Sequence, residues 1–316
     1  MPKLAAAVSL AIGLAVAASA VQAQTFPVKM ASYNKGYFKG FSSVVLPSYN
    51  LTVITANQAT AVGGGAASRL NKVLYGVDEA AIRKMADEAH ADLRAQFTAA
   101  GIPVASDAAA QAVVAANAVA LQPGNIDIVK SAGGITVNKS LRQSYVTVGA
   151  TAAPMLAAFK SVLGGGPGVA AATKAADSTA RGHADGAMTV IPTLVVDFAS
   201  MDANVQSNAR RTTATTSGGA AFAIRGVASG IFFGKVYNGG KTVFPFYVRP
   251  DGDYGSAAPF AADVAGAAQV APTSAFGDNA ARGDAVVVDL AAWEGLVRDA
   301  YKSYNANLVK AALAGK

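Results

Sequence analysis

Two β-rich runs, Ile231 to Tyr237 and Thr242 to Val248, flank Asn238-Gly239-Gly240-Lys241. Asn-Gly supplies the positive φ that a tight hairpin turn needs, so the two runs are expected to pair antiparallel. A sheet that contains them is antiparallel or mixed. Further strand signals lie at Leu51 to Thr55, Ile102 to Val104, Tyr145 to Val148, Thr189 to Ala199 and Val286 to Val288. Pro192 places the first part of the Thr189 strand at a sheet edge or a bulge.

Helical periodicity is strongest after Asp78. Ile82, Met85, Ala89, Leu93 and Phe97 fall on one stripe, with Asp78 as N-cap, Glu79 in the first turn and Gly101 just past the end. Glu79 with Arg83 and Lys84 with Glu88 are spaced for i,i+4 pairs on the solvated side. A last helix sets Leu290, Trp293, Val297, Ala300, Tyr304 and Leu308 at the same period, with the single tryptophan as a packing anchor. An alanine-rich helix is expected from Asp107 to Gln122-Pro123-Gly124, and a short one from Pro154 to Leu163. Gly168 to Met188 reads as a lid-like loop, and Arg249 to Asp284 as a long connection. The alternation of strands and helices fits one α+β domain over residues 24–316, which could be subdivided near 164–188.

The first 23 residues read as a cleaved secretory signal. Lys3 precedes the uncharged apolar run Leu4 to Ala18, and Val21-Gln22-Ala23 offers small residues for cleavage. That run of about 15 residues is shorter than the roughly 20 a membrane-spanning helix needs, and no later segment reaches that length. The expected location is therefore periplasmic or secreted, with no transmembrane helix after cleavage. No cysteine follows the apolar run, and none occurs anywhere, which removes disulfides, thiol catalysis, thiolate metal sites and a lipid anchor. The terminal helix argues against an outer-membrane barrel. The formal charge is +7, but the basic residues are scattered without interleaved aromatics, so no nucleic-acid partner is expected.

Catalytic motifs are scarce. Only His90 and His183 are present; His90 reads as a boundary or surface residue of the first helix. His183, two positions from Asp185 in Gly182-His183-Ala184-Asp185-Gly186, is the weak candidate for a proton-transferring pair, with Asp197 as a further carboxylate. No Gly-x-Ser-x-Gly element, phosphate loop or complete calcium loop occurs, and Asp251-Gly252-Asp253 reads as a polar turn. Ser32-Tyr33-Asn34-Lys35, Ser48-Tyr49-Asn50 and Lys241-Thr242-Val243 follow the order of a penicillin-recognising set but lack its helix and its final glycine. No metal or cofactor is expected.

The helix Ala80 to Ala100 leading through Gly101 into Ile102-Pro103-Val104, together with Thr193-Leu194-Val195-Val196-Asp197-Phe198, resembles exported envelope proteins of the CsgG-like and TolB N-terminal type. The likeness spans about a third of the chain; the lipid-anchor cysteine of the former and the propeller repeat of the latter are missing. It implies an assembly or scaffolding role in the cell envelope and transfers no functional residue. The resulting expectation is a non-catalytic protein that binds an envelope protein or polymer through its aromatic strands, around Tyr33 to Phe41 and Phe232 to Tyr247. A secreted hydrolase using His183, Asp185 and Asp197 is the alternative.

Overall fold

The computed structural model describes residues 28–31, 38–63, 65–105, 118–119, 121–131, 138–156, 187–207, 212–226, 228–237, 242–265 and 283–314. The strands are β1 (Ser43–Val45), β2 (Asn50–Gly63), β3 (Ala66–Tyr75), β4 (Ala118–Val119), β5 (Leu121–Ser131), β6 (Asn138–Gly149), β7 (Met155–Leu156), β8 (Ala187–Ser207) and β9 (Thr212–Ile224). They continue with β10 (Gly230–Tyr237), β11 (Thr242–Val248), β12 (Tyr254–Ser256), β13 (Ala261–Val264) and β14 (Asp284–Val288). Helix α1 (Glu79–Ala99) follows β3, and α2 (Leu290–Leu313) follows β14. Twelve of these strands form one mixed sheet, curled into a half-barrel with both helices packed on it, and β4 with β7 forms a separate pair. This is the expected α+β class. No helix among the described residues is long and apolar enough to cross a membrane.

The helices form where the periodicity places them. The Asp78 carboxylate accepts the Ala81 N–H at 2.8 Å, which satisfies one of the donors that a helix start leaves orphaned. At the other end Gly101 takes φ +73°, and Ile102 donates back to the Phe97 carbonyl, turning the chain toward the sheet. The predicted stripe from Ile82 to Phe97 is buried, as is the stripe from Trp293 to Leu308, while Leu290 is exposed. Glu79 pairs with Arg83 at 2.6 Å as expected. Lys84 and Glu88 do not pair with each other. Lys84 reaches Glu294 at 2.6 Å, and Glu88 accepts from Arg298 and Tyr301, so these charges join α1 to α2.

Sheet topology explains why β2 and β8 are so long. Both begin under the helices, paired in parallel from Asn50 opposite Thr193 to Val53 opposite Val196. Beyond that row they part. β2 takes β3 on the vacated edge, from Ala56 opposite Val73, and β8 takes β9, from Val196 opposite Ile224. β6 runs along the other edge of β2 throughout, with β5 outside it. Irregular pairing marks the fork on both sides, between Ile54 and Ala56 in β2 and between Asp197 and Ala199 in β8. Such bulges bend a strand and raise its local twist, which lets the halves diverge.

Three expectations are corrected. Ala118, Val119 and the stretch from Leu121 are strand, so a helix does not run from Asp107 to Gln122; the 106–117 part lies outside the described residues. Pro123 read as a stop, but β5 pairs only with β6, and an edge strand tolerates proline. Met155–Leu156 is likewise strand where a short helix from Pro154 was expected. Pro192 sits inside the sheet, opposite Ile231 of β10. The ladder on its other side is interrupted there, since β1 ends opposite Thr189 and β2 starts opposite Thr193, so the missing N–H falls at a gap. The connection after Arg249 contains β12 and β13, and the expected Ile231–Val248 hairpin forms, with Tyr237 opposite Thr242. The point of subdivision near 164–188 lies almost wholly outside the described residues.

Candidate functional site

The inner face of the curled sheet buries polar side chains among the apolar Ile54, Tyr145, Ile191 and Val195. Before the fork it presents Asn50, Thr52, Thr147, Thr189 and Thr193, all closed off from solvent. The Asn50 amide donates to the Thr193 hydroxyl at 3.3 Å and its carbonyl oxygen accepts from Ser48 at 3.1 Å. Thr52 and Thr147, opposite each other on β2 and β6, share a hydrogen bond of 2.8 Å. The Thr189 hydroxyl has no partner.

At the fork this seam ends on Asp197, whose side chain is fully buried. Its Oδ1 accepts from Asn57 Nδ2 at 2.8 Å, from the Phe198 N–H at 2.8 Å and from the Ala199 N–H at 3.3 Å. Its Oδ2 accepts from Gln143 Nε2 at 3.0 Å and from Arg225 Nε at 2.8 Å, with Arg225 Nη2 at 2.7 Å. Gln143 also donates to Asn57 Oδ1 at 2.7 Å. Arg225 continues outward to Asp253, which accepts the Gly226 N–H as well. Burial would lower the pKa of Arg225, but the charges of Asp197 and Asp253 outweigh that effect and raise it.

The location has a physical cause. Where β2 and β8 separate, backbone N–H groups of the bulge lose their ladder partners, and a buried unpaired N–H is costly. A carboxylate has enough lone pairs to take those donors and the amides of two neighbouring strands together. Asp197 is thus a junction between β8, β2, β6 and the segment after β9. Six donors converge on its two oxygens.

The candidate residues from the sequence fare differently. His183 and Asp185 lie outside the described residues, as do Ser32 to Lys35. Asp197 is enclosed in the junction. His90 is buried rather than superficial; its Nε2 has no partner, and burial, with Arg94 nearby, lowers its pKa to about 4. Asp251 accepts from the Tyr254 hydroxyl, and Asp253 belongs to the Arg225 chain. No group of three or more potential metal ligands occurs among the described residues. Phe38, Phe41 and Phe233 are core residues, Phe38 and Phe233 meeting edge to face at 4.9 Å, so these aromatics present no binding surface.

Sequence reading missed Asn57, Gln143 and Arg225 as partners. One signal was there to be read. A carboxylate within the apolar strand Leu194-Val195-Val196-Asp197-Phe198 needs compensation when buried. Which residues supply it is a matter of tertiary pairing. No family model, no curated protein and no solved structure matches the chain.

Proposed function

We propose that this chain is an exported, non-catalytic protein of the cell envelope that binds or assembles with an envelope protein or polymer. The observation that carries this reading is the closed state of the Asp197 junction: among the described residues it is the one carboxylate buried in the sheet, and its oxygens are taken up by donors of Asn57, Gln143, Arg225 and the backbone. The surrounding seam consists of hydroxyls and amides, groups that recognise by hydrogen bonding and do not exchange protons near neutral pH. The leader of residues 1–23 supports export, and the resemblance of the Ala80–Val104 and Thr193–Phe198 segments supports an envelope role.

The test is fractionation of native cells after mild cross-linking, with mass spectrometry of the protein's N-terminus and its adducts. The reading expects a terminus at Gln24 in the periplasm or medium and recovery of envelope components. Intact Met1 to Ala23 in the cytoplasm contradicts export. A hydrolytic activity that disappears in a folded His183→Ala or Asp185→Ala variant contradicts the non-catalytic reading and favours the hydrolase.

A further inference from the structure

Beyond the fork, one short segment joins the β8–β9 hairpin to the β2–β3 hairpin and its neighbour β14. From Asp253 to Val264 the chain pairs first with β9, where Tyr254–Ser256 lies opposite Phe222–Ile224, and then with β14, where Ala261–Val264 lies opposite Ala285–Val288. β9 has β8 on its other side and β14 has β3, so the segment reaches from one half of the forked sheet to the other.

Its hold on either side is slight. The two ladders run over only three and four residues, and Phe260 is the one buried residue from Asp253 to Val264. The Phe260 ring meets Phe222 edge to face at 6.0 Å. Charge adds to that grip. Asp253 accepts from Arg225 Nη1 at 2.9 Å and from the Gly226 N–H at 2.8 Å, while Asp263 accepts from Lys72 Nζ at 2.8 Å and from the Ala220 N–H at 3.1 Å. The two carboxylates are exposed, at 44% and 41%, so water takes over their bonds when the segment lifts.

The cations that these carboxylates meet are each paired twice. Arg225 also holds Asp197 of β8, and Lys72, whose side chain is 6% exposed, also holds Asp284 of β14 at 3.2 Å. Taking away the sole partner of an enclosed charge is costly, because the charge left behind is uncompensated. Here both cations keep a carboxylate on the body of the sheet, and departure of the segment isolates neither.

We propose that residues 253–264 are a releasable strap, which opens as a unit, more readily in salt, and bares the paired stretches of β9 and β14 while the rest of the sheet stays folded. Gly252, where a Cβ would meet nothing within 4 Å, is the hinge on one side, because Asp251 stays tied to the Lys29 carbonyl through its N–H at 2.9 Å. Closed, the strap covers backbone groups that would otherwise template pairing with another chain. The device is independent of the export and envelope readings and is tested on purified protein.

The test is hydrogen exchange of the full chain at low salt and at about 1 M sodium chloride, where the screening length falls to about 3 Å. The amides of 254–256 and 261–264 should exchange together, faster than those of 190–196, and faster still in salt. Asp253→Asn/Asp263→Asn should speed them about tenfold and leave 190–196 unchanged. Asp284→Asn should slow them, since opening would then leave Lys72 uncompensated. Circular dichroism checks folding, and the salt comparison on the wild-type protein carries the test if a variant unfolds. Strap amides that exchange only along with 190–196, rates indifferent to salt, no acceleration in the double variant, or a strap that Asp284→Asn loosens would overturn the proposal.

Discussion

The two halves of β2 and β8 lie in one sheet but are held by different means. Under the helices, both sheet faces are buried, and the outer one packs Leu51, Val53, Leu194 and Val196 in a core shared with Trp293 and Phe97. Beyond Asp197 the strands alternate, with Asn57, Ala59 and Ala61 inward and Gln58, Thr60 and Val62 outward. Gly218 shows how closely the paired strands approach there, since a Cβ at that position would lie 2.6 Å from both the Ser200 carbonyl oxygen and the Met201 sulfur of β8. The body is thus stabilised mainly by apolar burial, and the hairpins mainly by polar satisfaction and close backbone approach. The Asp197 junction couples them.

The sharpest way to break the body is Trp293→Ala, which opens a cavity between α2 and the sheet. A loss of about 3–5 kcal/mol is expected in urea unfolding. Asp197→Ala should rank next, at about 3 kcal/mol, because it leaves Arg225, Asn57 and Gln143 facing an apolar methyl. If Asp197→Ala cost nothing, the junction would be ornamental and the halves independent.

These two residues also show what could be read in advance. Trp293 and the stripes of α1 and α2 are legible because helical burial repeats every three to four residues. So is the Ile231–Val248 hairpin, whose turn chemistry is local. The hairpins beyond the fork are not: β9 is built almost wholly from alanine, glycine, serine and threonine, while β3 and β5 interleave charged, amide and apolar residues without clean alternation, and their strand state comes from pairing with other parts of the chain. The Asp197 site was half legible. Its carboxylate stands out in an apolar strand, but Asn57 is 140 positions away and Gln143 is 54 away.

His90 sharpens the comparison by pH, since it belongs to the body alone. Its folded pKa of about 4 lies below the ordinary 6.5, so the unfolded chain binds the proton more readily. The stability due to the neutral ring is full above pH 6.5 and is lost as pH falls toward 4. About 3 kcal/mol should disappear across that window, and His90→Gln should flatten the profile there. The smallest expected effect is in the hairpins. Gly218→Ala should cost about 1–2 kcal/mol by pushing β9 off Ser200, while Gly252→Ala, with open space around it, should cost less.

Native-state hydrogen exchange on the wild type and Asp197→Asn tests the coupling of the two halves most directly. The amides of 57–63, 65–71, 199–207 and 212–221 should lose protection in the variant, while those of 51–53, 190–196 and both helices keep theirs. Uniform loss across both halves, or none in the hairpins, would contradict a junction that joins a sealed apolar body to polar arms.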